Sequence, residues 1–171
     1  IITGDRDLLQ LVDERIIVNL PGRSMADARD YYHADVIKKM GVRPDQVVDL
    51  KALMGDSSDN IPGVYGIGQK TAEKLLAEYD TLDNIYAHLD EIPKRFQTKL
   101  ATDKEAAYMS QDLARIRTDL PVELDLELAR ADKLNVAGVS ELFRELEFHS
   151  LTNRLVRLMQ SEPEPVQTAS G

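Results

Sequence analysis

The sequence predicts an α/β remnant, the end of a mostly parallel sheet, followed by a mainly α-helical subdomain. Three observations predict it. β-branched residues gather at the front, in Ile1-Ile2-Thr3 and Ile16-Ile17-Val18, and short runs of this kind bounded by turn residues read as strands. From about residue 43 onward, helix-start signals recur ahead of apolar residues at helical spacing. Between these regions, residues 55–72 set a pair of carboxylates and a run of glycines directly before a helix.

Ile1 to Thr3 reads as the end of a buried strand whose partners would come earlier, so the chain is expected to be part of a longer protein. Gly4-Asp5-Arg6-Asp7 follows as a turn, and Leu8 to Val12 as a short helix. Ile16 to Val18 is a second strand, closed by the Pro21-Gly22 turn. Residues 27–40 fit a helix that stops at Gly41, a glycine placed where left-handed backbone ends a helix. Residues 1–42 thus form the α/β remnant and 43–160 the helical subdomain. Pro44 suits the first turn of a helix through about Met54, with Val47, Val48, Leu50 and Leu53 as core. The next helix runs from Gln69 to Tyr79. Thr81 caps a helix to about Leu89, and Pro93 begins another. Thr102-Asp103-Lys104-Glu105 has the capping-box pattern ahead of a helix to about Arg117. Leu120 to Leu126 is irregular or briefly extended, and two helices follow near 136–147 and 150–159, with Ser150 as cap of the second. Residues 161–171, rich in Pro, Glu and small residues, read as a linker or frayed tail.

The composition, 43% hydrophobic and 30% charged over 171 residues, is that of a globular chain. No apolar run approaches the roughly 20 residues a membrane-spanning helix needs. The absence of cysteine excludes disulfides and thiolate metal sites. His33, His88 and His149 lack the spacing of a zinc site or a catalytic triad. A net charge of −9 argues against a simple electrostatic nucleic-acid binder. Bulk charge says little about a local patch, however. Residues 92–99 carry Lys94, Arg95 and Lys99 and no acid, and Lys70 and Lys74 lie on the helix after the glycines.

Four carboxylates are candidates for chemistry. Asp56 and Asp59, at i and i+3, share one face of a helical turn. Asp5 and Asp7 follow a strand end, where ligands sit in open α/β sheets. Helix capping explains one of that pair comfortably and two less well. Brought together, the four would repel one another and their pKa values would rise unless a cation intervened. Magnesium takes such oxygen ligands together with water and phosphate oxygens. A two-metal site can hydrolyse a phosphodiester with no His or Lys as base. Gly63, Gly66 and Gly68 let backbone approach a ligand closely, and the helix after them offers unpaired N–H groups to a phosphate. Their spacing is wrong for a dinucleotide-binding fingerprint. Tyr65 sits inside the glycine turn, where packing is its expected role and substrate contact the alternative.

Gly63-Val64-Tyr65-Gly66-Ile67-Gly68 before a helix resembles the helix–hairpin–helix DNA-binding class. With Thr3 to Leu11, Gly55-Asp-Ser-Ser-Asp-Asn-Ile-Pro-Gly63, Gly66 to Ala72, Arg117 to Pro121 and Leu146 to Leu151, residues 1–158 resemble the 5′-nuclease (flap endonuclease) family, most closely the 5′→3′ exonuclease domain of bacterial DNA polymerases I. The resemblance implies that Asp5, Asp7, Asp56 and Asp59 are catalytic and bind divalent metal, Mg2+ or Mn2+, as part of a two-ion site. It implies that Gly63, Gly66, Ile67, Gly68, Gln69, Lys70, Thr71 and Lys74 grip duplex DNA without reading its sequence, with K+ as an ion at the hairpin. The implied partners are DNA with a 5′ flap, nick or primer, and polymerase domains in cis. The implied setting is a monomer in the bacterial cytoplasm, associated with the nucleoid. In the family, a first set of acids and a flap-threading arch lie before the position matched by Ile1. The chain alone is therefore expected to have little or no nuclease activity. Two other readings compete with it: a non-catalytic hairpin module that binds DNA, in which Asp5 and Asp7 only cap, and a freestanding flap nuclease without a polymerase.

Overall fold

The structure, a computed structural model, describes residues 1–22, 27–130 and 133–160. The chain divides into two compact units, Ile1–Asp119 and Leu120–Gly171. The tail expected over 161–171 lies outside the described residues.

The first unit opens with backbone pairing. Asn19 N–H donates to Ile1 O at 2.7 Å and Thr3 N–H to Asn19 O at 3.1 Å, which makes Ile2 and Asn19 a parallel bridge. A 3-10 helix at Arg6–Leu11 follows. Gln10 ties it to a distant segment, donating to Ala114 O at 3.0 Å and accepting Ile116 N–H at 2.9 Å. Strand β1 is Val18–Leu20, two residues later than the β-branched run suggests. The Asp13 carboxylate accepts the N–H groups of Arg15 and Ile16, holding residues 13–16 in a turn and delaying the strand.

The helix expected over 27–40 forms only in its second half. Arg29–Tyr31 is a strand, β2, antiparallel to β1 with Val18 opposite Tyr31. Local helix propensity yields here to the free edge of β1. Asn19 Nδ2 donates to Asp30 at 2.8 Å, and the Tyr31 ring faces Arg29 and Lys39. Helix α1, His33–Met40, then ends at Gly41 with φ 78°, as the glycine predicts.

Five helices follow. A 3-10 turn at Pro44–Gln46 leads into α2, Val47–Met54. Next come α3, Gln69–Tyr79, and α4, Leu82–Ala87. The last two are α5, Lys94–Thr102, and α6, Lys104–Ala114. Thr81 caps α4 by accepting Asn84 N–H. The centre of the unit is α2, buried from Val47 to Leu53 and packed chiefly on α6 and α3. Its Asp49 carboxylate accepts Leu82 N–H at 2.9 Å and Gln111 Nε2 at 2.6 Å, so one buried acid fastens α2 to α4 and α6. Leu9, Val18 and Val36 from the front of the chain share one apolar cluster with Leu50, Leu76 and Leu100 from the helices. Burying side chains of this size is worth about 1.5–3 kcal/mol each.

The expected capping box at 102–105 does not form. Thr102 donates its hydroxyl to Thr98 O at 2.8 Å, and Asp103 makes no side-chain cap bond to α6. Its carboxylate is engaged elsewhere, as described below.

In the second unit residues 120–126 are irregular, as expected. Asn135 caps α7, Val136–Glu145, by accepting Gly138 N–H at 3.0 Å. Helix α8 is His149–Gln160. Ser150 falls inside α8 and is not its cap, because the helix already begins one residue earlier. The rings of Phe143 and Phe148 meet where α7 turns into α8. No helix among the described residues is long and apolar enough to cross a membrane.

Candidate functional site

Helix α2 stops at Gly55, whose φ of 74° and ψ of 176° are essentially reserved to glycine. Asp56 and Ile61 then exchange backbone hydrogen bonds of 2.9 and 2.8 Å, closing a tight turn over residues 57–60. The i, i+3 relation of Asp56 and Asp59 thus arises in a bridge-closed turn, not in the helical turn their spacing predicts. It still brings them together. Asp7, Asp56 and Asp59 each place a carboxylate oxygen within 4.8 Å of the others. Asp5 stands outside that group. Its Oδ1 accepts Asp7 N–H at 2.9 Å and caps the first 3-10 helix, although it lines the same open cleft of about 850 Å³.

A residue that the sequence reading passed over sits in the middle of this cluster. Lys51, from the last turn of α2, is only 8% exposed along its side chain and bonds Asp7. Its Nζ is 2.7 Å from Asp56 Oδ2 and 3.9 Å from Asp59 Oδ2. Burial works to lower the pKa of the ammonium, but hydrogen bonds to Asp56 and Asp7 outweigh it, and the net shift is upward. The hydrogen bond from Lys51, joined by those from Ser58, holds Asp56 down at about 2. Three carboxylates facing one ammonium leave two negative charges for a further cation to neutralise. The donor set consists of hard oxygens, which suits magnesium or manganese.

The glycine turn is built from backbone. Gly63 has φ 63°, and a Cβ on it would lie 2.2 Å from Gly55 N, so the two glycines interlock. The N–H of Gly63 donates to buried Ser110 Oγ at 3.0 Å. Val64 and Ile67 are buried in the core, so Ile67 can offer a ligand its backbone only. At the tip, Gly66 has φ 75° and Tyr65 is 87% exposed, so the packing role expected of Tyr65 does not hold: its neighbours Val64 and Ile67 take the core positions. Gly68 precedes α3 with no side-chain cap on the first turn of that helix. A Cβ on Gly68 would meet no protein atom within 4 Å, so internal packing does not require a glycine there. Gln69, Lys70 and Lys74 are exposed and Thr71 half-buried. Gln69 lines the cleft of the four aspartates, which brings the start of α3 and the acids to one opening.

Two more residues hold the tip. Lys99 Nζ donates to Gly66 O at 2.9 Å, and Tyr65 N–H donates to Asp103 Oδ2 at 2.8 Å. A potassium ion that used the Gly66 oxygen would have to share it with an ammonium or displace it. Lys99 lay in the basic stretch noticed in the sequence, but nothing in the local pattern reveals a contact spanning 33 residues.

The model of the family described as "5′-3′ exonuclease, C-terminal SAM fold" matches residues 42–137. DNA polymerase I of Caldicellulosiruptor bescii is 45% identical over 157 residues, covering 91% of this chain and 18% of that protein. The thermostable DNA polymerase I of Thermus filiformis is 43% identical over 164 residues, covering 95% of this chain and 19% of that protein. The chain thus spans about a fifth of the length of these relatives. Among solved structures, the bacteriophage T5 flap endonuclease in a pseudo-enzyme-product complex with DNA and metal ions is similar with a TM-score of 0.58 at 27% identity, over 66% of this chain and 41% of that one. The T5 5′-exonuclease with bound zinc gives a TM-score of 0.56 at the same identity and coverage. With more than half of its residues matched by the family model, the chain belongs to the family of the 5′-3′ exonuclease C-terminal SAM fold.

Proposed function

We propose that this chain supplies one side of a metal-dependent 5′-nuclease within a bacterial DNA polymerase I, hydrolysing phosphodiesters where single strand meets duplex. The observation that carries the reading is the convergence of Asp7, Asp56 and Asp59 in a cleft that also reaches Gln69 at the start of α3. Acids for a cation and the first residue of the α3 terminus thus line one space. The DNA-bound T5 relative supports nucleic acid as the partner.

In this reading Asp7, Asp56 and Asp59 hold a divalent ion, with Mg2+ or Mn2+ the proposed identity. When bound, the ion would supply a metal-activated water and charge neutralisation at phosphorus. Asp5 keeps its neighbour in place by capping. Gly66, Gly68 and the first turn of α3 present N–H groups to the DNA backbone, with Lys70 and Lys74 as cations beside them. Such contacts fix position without reading bases. The proposed substrates are flaps, nicks and primer-bearing duplexes in the nucleoid, with polymerase domains in cis.

Three acids with one internal ammonium are too few for a two-ion site, so the chain alone is expected not to cut. The test is cleavage of a 5′-flap DNA with magnesium, using the chain and a version extended N-terminally to the start of its parent. Cleavage only by the extended form, lost by at least about a hundredfold in its Asp56→Ala variant with DNA affinity retained, is the expected result. An extended form that binds flaps yet never cuts favours the non-catalytic hairpin module.

A further inference from the structure

We propose that Lys99 is the resident cation of the glycine hairpin: with Asp103 it clamps the two-residue tip, so the turn keeps its shape without a bound monovalent ion. Lys99 and Asp103 stand one helical turn apart, at the end of α5 and just past it. They close on opposite ends of the tip, Asp103 taking Tyr65 N–H at 2.8 Å and Lys99 reaching Gly66 O at 2.9 Å. Both bonds are charge-assisted, the stronger kind. Asp103 stands at the start of α6 without a side-chain cap bond to it, and its carboxylate serves the tip instead. Gly66 gives the tip its left-handed backbone, φ 75°, the conformation in which its carbonyl meets Lys99 Nζ. A monovalent ion bound to a carbonyl does what this ammonium does, but it must be recruited from solution. The tethered cation removes that requirement.

The inference rests on the reading that the hairpin grips DNA, and its test has one arm that does not. Flap-DNA affinity is measured for the wild type, Lys99→Ala and Lys99→Arg in potassium and in sodium chloride at equal ionic strength. The wild type is expected to bind equally in both salts. Lys99→Ala should bind about tenfold more weakly in sodium and recover part of that loss in potassium, while Lys99→Arg stays near the wild type. A potassium preference in the wild type would overturn the proposal. So would an equal loss for Lys99→Ala in both salts, which would make Lys99 a plain phosphate contact. In the second arm, amide hydrogen exchange without DNA should show Ile67 N–H, which closes the turn on Val64 O, exchanging about tenfold faster in Lys99→Ala while the α3 interior is unchanged. Unchanged exchange sinks the clamp. If the wild type binds no DNA in either salt, the DNA reading falls and the exchange arm alone decides. Lys99→Gln replaces the alanine variant should the latter fail to show a folded melting transition.

Discussion

The acid cluster and the glycine hairpin are neighbours in sequence and are built on opposite principles. The cluster is made of side chains drawn from three places: Asp7 from the first 3-10 helix, Lys51 from α2, and Asp56 and Asp59 from the bridged turn. The hairpin is made of main chain, with Val64 and Ile67 anchored in the core and its tip gripped by α5. Charges can be exchanged in the cluster while the backbone stays put. In the hairpin the backbone is the device, so its conformation is tied to the fold. The two meet where Gly55 and Gly63 lie backbone against backbone.

The largest expected effect comes from breaking that interlock. Gly63→Ala puts a methyl group 2.2 Å from Gly55 N at a φ of 63°. Left-handed backbone and overpacking together cost about 2–5 kcal/mol. Denaturant unfolding should show a loss of that size, and the acid turn should loosen along with the hairpin. A loss below about 1 kcal/mol would mean that the two regions are not mechanically joined.

The same contrast explains what the sequence disclosed. The start and end of α3, the glycine stop at Gly41 and the Thr81 cap were legible because each is encoded within a few residues. Strand β2 was not, because its reason is β1, a tertiary partner. The capping box at 102–105 failed because Thr102, its expected cap, still belongs to α5 and donates its hydroxyl to Thr98 O. The aspartates near the cleft were readable as acids in pairs, but the separation of Asp5 from Asp7, Asp56 and Asp59 was not. Lys51 carries no local signature at all, and Lys99 shows only as one of three basic residues in 92–99, with nothing to tie it to Gly66. Each is recognisable only once the chain has folded around it.

A smaller effect tests the cluster alone. Lys51→Met removes the ammonium and leaves Asp7 and Asp56 facing each other half-buried, at an expected cost of about 1–3 kcal/mol. Unlike the Gly63 variant, this loss should be recoverable, because a divalent ion can neutralise the freed oxygens. Added manganese should raise the melting temperature of Lys51→Met more than that of the wild type. A variant that loses stability and gains nothing from manganese would make Lys51 a structural cation and the cluster a poor metal site.

The smallest effect addresses the support beneath the hairpin. Tyr86 stacks on Tyr108 at 5.4 Å and donates to Leu100 O on α5, the helix that carries Lys99. Burial pushes both phenols up to about 12, aided for Tyr86 by the charges of Tyr108 and Asp103 and for Tyr108 by its hydrogen bond to Asp83. A folded pKa above the ordinary value of 10 means that the folded state holds these protons more tightly than the unfolded chain does. Their contribution is therefore complete below pH 10 and is lost as pH rises through about 12. The melting temperature should fall across that window in step with tyrosinate absorbance, and Tyr86→Phe should flatten part of the fall. Exchange of the hairpin amides should quicken in the same window ahead of those in α2, since α5 loosens before the buried helix does. If α2 and the hairpin open together, the two regions form one cooperative unit, and the support for the tip is not separable from the core.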